Sequence, residues 1–359
     1  MKIISLLLLT LFCTTISTYA NDGVYLTSGS VIYPQQETSI SLEEEFLSFT
    51  VRERRAYVSI RFDFYNPEDT ARKLLIGFQA PSAEGDVSDS VSNLNQIEDF
   101  TVLQEGQILP YKIKAALCED CELKDPESVR FTDEEPGIFV YLFEMTFKPG
   151  MNRVQHSYNF PASYGIFTAQ SYDYILTTGA KWAGGKIGDL TVQIDMGPDT
   201  YFYVGDNFGK GALWSVVGTG RLTDSERIFM GLSSSKVAKI RSGSVLIEVK
   251  NFKPQHNIHF GEPNRYEFIS DYGEQDDTPI GIVKPEELYD IKDWYSKADL
   301  RLLRNAIYAH YGYDFNSTEL RQYFSQFDWY MPDPNLKMED IHLTDKEKEL
   351  IDRIKELEK

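Results

Sequence analysis

Apolar and polar positions alternate along the chain from residue 24 to about residue 252. Val58, Ile60, Phe62 and Phe64 fall on one side and Ser59, Arg61 and Asp63 on the other, the period of a half-buried strand, and Asn66-Pro67 ends the run. Leu190, Val192, Ile194 and Met196 repeat the pattern against Thr191, Gln193 and Asp195. Segments 72–79, 137–147, 172–178, 226–232 and 244–251 are also strand-like and are separated by Gly, Pro, Asp and Asn. Many short strands without amphipathic helices between them predict a mainly β protein of antiparallel sandwich type, with one or two sandwiches over 21–252, and argue against a parallel α/β sheet. The length of this region leads us to expect two β subdomains dividing near 160–170.

Residues 253–285 carry Pro254, Pro263, Pro279 and Pro285 with the acidic stretch Glu274–Asp277, and read as an irregular connector. After Pro285 the period changes. Leu300, Leu303 and Ile307 share one helical stripe with Ala306 beside it, Ser296 and Asp299 are spaced as a start, and Gly312 stands where a C-cap belongs. A second helix is expected from Asn316–Glu319 to about Phe327. A third starts at Thr344, whose spacing to Glu347 is that of a capping box, and continues through Ile351 and Ile354. Residues 286–359 are therefore a small helical domain, expected to lean on the β region for stability.

The N-terminus changes the setting. Lys2, the apolar run Ile3–Phe12 and the small and polar residues up to Ala20 have the order of a secretory signal, with cleavage expected after Ala20. The run is too short to span a bilayer, which takes roughly 20 residues, and no later stretch is apolar enough. An exported chain, periplasmic or extracellular, is the expectation. Its 36 Lys and Arg against 55 Asp and Glu leave a net charge of −19, which argues against a nucleic-acid partner. Export also favours disulfides. Cys118 and Cys121 enclose two carboxylates, and negative neighbours raise a thiol pKa, so a local structural disulfide is expected there and not a redox pair.

Two stretches resemble known families. Arg304-Asn305-Ala306-Ile307-Tyr308-Ala309-His310-Tyr311-Gly312-Tyr313-Asp314-Phe315, followed by Leu320, Tyr323-Phe324 and Trp329-Tyr330, resembles the YARHG domain of exported bacterial proteins. Tyr308, Ala309 and Gly312 match the core that names the family, while His310 stands at its Arg position and Tyr311 at its His position. The resemblance covers roughly 286–345 and brings no activity with it. The β region, through Asn21-Asp22-Gly23, Phe62–Pro67, Thr177-Thr178-Gly179-Ala180-x-Trp182 and Gly185–Asp189, is similar to an exported bacterial family of unknown function. That likeness implies a β-rich envelope protein and adds no catalytic residues.

Candidate chemistry is sparse. His310 and Tyr311 near Asp314 are the candidates for proton transfer, set against the plainer role of closing a helix C-terminus. His156 lies on the apolar face of a strand and reads as packed. His256 and His259, three apart in a Pro-containing loop near Glu262, do not suit a metal site there. Gly205–Lys210 has the wrong spacing for a phosphate loop and reads as a hairpin turn. Asp333, Asn335, Glu339 and Asp340 lack EF-hand spacing and read as solvated acids. No metal or cofactor is expected. The density of rings around Tyr308, Tyr313, Trp329 and Tyr330 favours a non-catalytic binding surface for an envelope glycan or protein. The competing classes are a hydrolase centred on His310 and Tyr311, and a structural partner of another exported protein marked by a large exposed apolar patch.

Overall fold

The computed structural model describes residues 25–26, 28–30, 33–81, 84–85, 95–118, 121–131, 137–164, 168–209, 212–225, 234–263, 296–327 and 330–359. The expected signal segment, the strand expected at 226–232, most of the expected connector and Trp329 lie outside the described residues.

The strands in chain order begin with β1 (Tyr25–Leu26), β2 (Ser28–Ser30), β3 (Tyr33–Pro34), β4 (Ser41–Arg52), β5 (Arg55–Asn66) and β6 (Arg72–Pro81). They continue with β7 (Glu84–Gly85), β8 (Glu98–Gln104), β9 (Gln107–Ile108), β10 (Tyr111–Ala116), β11 (Ile138–Phe147) and β12 (Gly150–Pro161). The last six are β13 (Thr168–Ile175), β14 (Ile187–Asp195), β15 (Thr200–Gly205), β16 (Ser215–Ser225), β17 (Ser235–Phe252) and β18 (Ile258–Pro263). A large sheet runs β2-β13-β18-β15-β17-β14-β4-β5-β12-β8-β9, with β16 on the other side of β17, and a small sheet runs β10-β11-β6-β3. The structure is mainly β with a small helical module at its C-terminus. Among the described strands pairing is antiparallel except where β14 meets β4 and β13 meets β2, two parallel contacts that alternation alone does not reveal.

The alternating residues do what their period requires. Val58, Ile60, Phe62 and Phe64 are buried, as are Leu190, Val192, Ile194 and Met196. The small sheet covers one part of the large one, with Phe78 of β6 5.1 Å from the His156 ring and Phe100 stacked on Tyr141 at 4.2 Å. Elsewhere the large sheet faces itself, with Phe49 of β4 5.0 Å from Phe260 of β18 and 5.7 Å from Tyr174 of β13. One apolar cluster holds residues from Ile40 to Phe260. Residues 258–263, expected as irregular connector, are strand: Ile258 and Phe260 point into the core and His259 away from it, and Pro254 precedes the run while Pro263 is its last residue. The segment 172–178 is strand only to Ile175, after which residues 177–181 form a 3-10 turn. Cys118 and Cys121 are disulfide-bonded with their Cα atoms 5.1 Å apart.

The strand β17 is 18 residues long and bends in its middle. Thr219 pairs with Ser242 and Gly220 with Ile240, so Arg241 is an extra residue in the ladder, a β-bulge. Gly218 faces Gly243 beside it, both with positive φ, at 122° and 101°. A Cβ on Gly218 would run into the Ser242 carbonyl, and one on Gly243 into the Val217 carbonyl. Before the bend β17 pairs with β15, and after it with β14.

Among the described residues three α-helices follow: α1 (Lys297–His310), α2 (Thr318–Phe324) and α3 (Asp345–Leu357). The capping boxes expected at Ser296/Asp299 and Thr344/Glu347 are both formed. Leu300, Leu303 and Ile307 of α1 pack on Leu350, Ile351 and Ile354 of α3. Ala306 and Ala309, on the neighbouring stripe, pack on Phe315, Leu320, Phe324 and Tyr330.

A second bulge carries an acid inward. Between Leu42 and Glu44 the register of β4 shifts against β5, so Glu45 joins Leu47, Phe49 and Val51 on the buried face. Glu45 is fully buried and accepts a hydrogen bond from the Tyr174 hydroxyl at 3.2 Å, while its other oxygen has no partner. Burial pushes its carboxyl up from 4.5 to about 8. His156 is equally buried, its Nδ1 donating to the Thr101 carbonyl at 2.8 Å, and burial pushes it down from 6.5 to about 4.

The two groups act on stability with opposite sign. Between pH 4.5 and 8 the unfolded chain ionises Glu45 and the folded chain does not, so stability falls as pH rises. Between pH 4 and 6.5 the unfolded chain protonates His156 and the folded chain does not, so stability rises with pH. These contributions cancel from about pH 4.5 to 6.5 and leave the Glu45 loss alone from about 6.5 to 8. Urea denaturation at pH 6.5 and pH 8 is expected to show wild type losing about 2 kcal/mol over this interval and Glu45→Gln losing less. Equal losses in the two proteins would contradict the assignment.

Candidate functional site

The run Tyr308–Gly312 sits at the end of α1, where four carbonyls lack helical partners. Gly312 closes the helix in the left-handed region, with φ at 81°, and its amide donates to the Ala309 carbonyl at 2.8 Å. Tyr311, the C-cap residue, donates its hydroxyl to Glu347 Oε2 at 2.8 Å and to the His342 carbonyl at 3.2 Å. Glu347 also completes the α3 capping box, so one carboxylate ties the end of α1 to the start of α3. Ala309 is completely buried, because only a small side chain fits between α1 and the Phe315–Tyr330 cluster. His310 lies in the last turn of α1, half-buried, where the helix dipole favours a cation. Arg304 holds Glu358 of the terminal turn through Nε and Nη2 at 3.1 Å each.

The same run joins the module to the β region. The Gly312 carbonyl accepts from the Asp333 amide at 2.8 Å, and Asp333 Oδ2 pairs with Arg241 Nη1 at 2.8 Å. Arg241 is the bulge residue of β17. A Cβ on Gly312 would stand 2.6 Å from the Met331 carbonyl and 3.0 Å from Arg241 Nη2. Tyr201 of β15 packs on the Phe315–Tyr330 cluster and also on Tyr203 and Val237, which are buried on the sheet face away from the main core. On that face Tyr203 donates its hydroxyl to His259 Nε2 at 2.9 Å, and His259 Nδ1 donates to Asp173 Oδ1 at 2.6 Å.

The residues expected to matter are thus distributed between joint and surface. Asp314, expected as a partner for His310 and Tyr311, is paired with Arg321 Nε at 3.0 Å. Tyr330, expected at the surface, is 2% exposed, and its hydroxyl donates to the Tyr313 carbonyl at 3.0 Å. It is a core residue, because the turn from Phe327 brings its ring against Phe315 and Phe324. Tyr308 and Tyr313 keep half-buried rings at the edge of the cluster, joined by Tyr323 and Phe327. His259 is engaged with Asp173 and Tyr203, apart from the exposed His256. Asp333, considered with Asn335 as an oxygen ligand, is spent on Arg241 and on the Asn335 amide at 2.9 Å. Sequence reasoning missed the Asp173–His259–Tyr203 row. The signal was there: Asp173 between Tyr172 and Tyr174, and His259 between Ile258 and Phe260, are outward polar positions on inward apolar runs.

Fold and joint together define a mainly β protein with a helical module seated against its large sheet. That module is a YARHG domain: residues 288–359 match this family. Of solved structures, a proposed nutrient-binding protein from Legionella pneumophila has the same fold, at 18% identity and a TM-score of 0.54, covering 93% of this chain and 98% of its own. Native yeast LTA4 hydrolase matches at 5% identity and a TM-score of 0.21, over 58% of this chain and 29% of its own, too low to carry an argument. No curated protein matches.

If Gly312 is a joint, adding one methyl there strains the backbone and presses on Met331. Thermal unfolding of Gly312→Ala is expected to show a loss of about 1–3 kcal/mol. Tyr311→Phe, which removes only the hydroxyl, should cost about 1–2 kcal/mol. Wild-type stability in both variants would contradict the structural role given to the motif.

Proposed function

We propose that the protein is an exported bacterial envelope component that acts by binding, its helical module offering aromatic rings to an envelope glycan or protein. The observation that carries this reading is the edge of half-buried rings formed by Tyr308, Tyr313, Tyr323 and Phe327 around the buried Phe315–Tyr330 cluster. Such rings combine apolar area with a polar tip, the composition found at recognition surfaces. Tyr323, near the end of α2, and Phe327, in the turn after it, lie 5.5 Å apart, and Tyr313 is 5.2 Å from Phe315, so the rings are held in place by the core beneath them. Preorganised rings lose little freedom on binding.

Export is supported by the signal-like N-terminus and by the YARHG domain, which is typical of exported bacterial proteins. Among the described residues no helix is long and apolar enough to cross a membrane. The nutrient-binding role proposed for the Legionella relative of this fold is in keeping with a binding function. The hydrolase reading has less support, since the Tyr311 hydroxyl is held by Glu347 and the His342 carbonyl, and Asp314 by Arg321.

The mature chain is expected to co-sediment with an isolated cell-envelope fraction. Tyr313→Ala and Trp329→Ala should each reduce retention several-fold while circular dichroism and melting temperature stay close to wild type. Absence of wild-type retention above background would overturn the reading, as would full retention by both variants.

A further inference from the structure

A cleft of about 550 Å³ opens on the β region, bounded by β3, by the turn 177–181 and by Cys121 and Leu123. Its lining includes Tyr33, Gln35, Glu37, Leu123, Val140 and Lys181. Its size is within the range of small-molecule sites. Two local devices build it. Tyr33 lies opposite Gly77 in the small sheet, and a Cβ there would strike the Gln35 amide and come within 3.0 Å of the Tyr33 ring, so glycine makes the room for both side chains. On the other wall the run Thr177–Trp182, singled out in the sequence but unused by the helical module, turns as a 3-10 segment. It is anchored by Trp182, which is 2% exposed and 4.4 Å from the Phe64 ring. That anchor delivers Lys181, whose Nζ stands 4.2 Å from the centre of the Tyr33 ring.

The described lining of this cleft carries one base, Lys181, and one acid, Glu37. Lys181 is exposed on the cleft and has no carboxylate partner among the described residues. Glu37, on the same cleft, likewise has no cationic partner among them. The two do not pair with each other. An unpaired ammonium and an unpaired carboxylate in one cleft, lined also by Gln35, Gln36, Leu123 and Val140, match a solute that carries both charges and an apolar group.

We infer that this cleft binds a zwitterionic solute of amino-acid or dipeptide size, with Lys181 taking its carboxylate, Glu37 its ammonium, and the Tyr33 ring holding Lys181 in place. Cys121 lines the same cleft, so the Cys118–Cys121 bond fixes part of its wall. The site is separate from the aromatic edge of the helical module, and the two proposals stand or fall independently.

The test is isothermal titration of the full mature chain with leucyl-alanine. Its N-acetyl derivative, its C-terminal amide and the uncharged disaccharide maltose serve as comparisons. Saturable binding of the dipeptide is expected, weakened at least tenfold by either blocking group. Lys181→Gln should weaken the free dipeptide tenfold or more yet leave the affinity for the amide unchanged, and Glu37→Gln should do the same with respect to the N-acetyl form. That crossed pattern distinguishes ligand pairing from a general loss of fold. No binding of the dipeptide, equal binding of all four compounds, or variants that weaken every compound alike would each overturn the assignment.

Discussion

The backbones of β16 and β17 meet where Gly218 faces Gly243, at a separation that leaves no room for a side chain on either. This close approach lets an 18-residue strand bend and continue, with the bulge at Arg241 taking up the extra length. One half of β17 then belongs with β15, β18 and β13, the other with β14, β4 and β5. The large sheet can therefore face itself across the Phe49, Tyr174 and Phe260 rings and leave a second face for the small sheet to cover.

The same bulge decides where the helical module sits. An extra residue in a ladder re-aims its side chain, and Arg241 is directed to Asp333 beside the Gly312 turn. The motif run is consumed by this joint. Gly312 supplies the left-handed turn and the close approach, Ala309 the clearance, and Tyr311 the tie to α3. The half-buried rings at the edge of the module, and the cleft where Lys181 and Glu37 are left unpaired among the described residues, are built from residues outside this joint.

Legibility in the sequence followed the range of the physics. Strand faces and helix caps depend on neighbours two to four residues away, so Val58–Phe64, Leu190–Met196 and the boxes at Ser296 and Thr344 were readable. The bulge in β4 was not, because nothing local distinguishes Glu45 from Glu44, and the choice is made by pairing with β5. The parallel contact of β14 with β4 joins segments more than a hundred residues apart and leaves no periodic trace. Prolines at 254 and 263 disguised β18, although Ile258 and Phe260 carried the alternation. Ring density around Tyr308 to Tyr330 reads from the sequence as a surface, while the burial of Tyr330 is decided by a turn that composition does not encode. The pairing of Lys181 with Tyr33, and the cleft around them, exist only in the folded chain.

The central claim is that the bulge at Arg241 seats the YARHG domain through Asp333 and Gly312. Hydrogen exchange on full-length Arg241→Ala tests it directly. The account predicts faster exchange of the Gly312–Asp333 contact and of α1 and α2 as a unit, with β4, β5 and β12 unchanged from wild type. Unchanged protection throughout the helical module would contradict it.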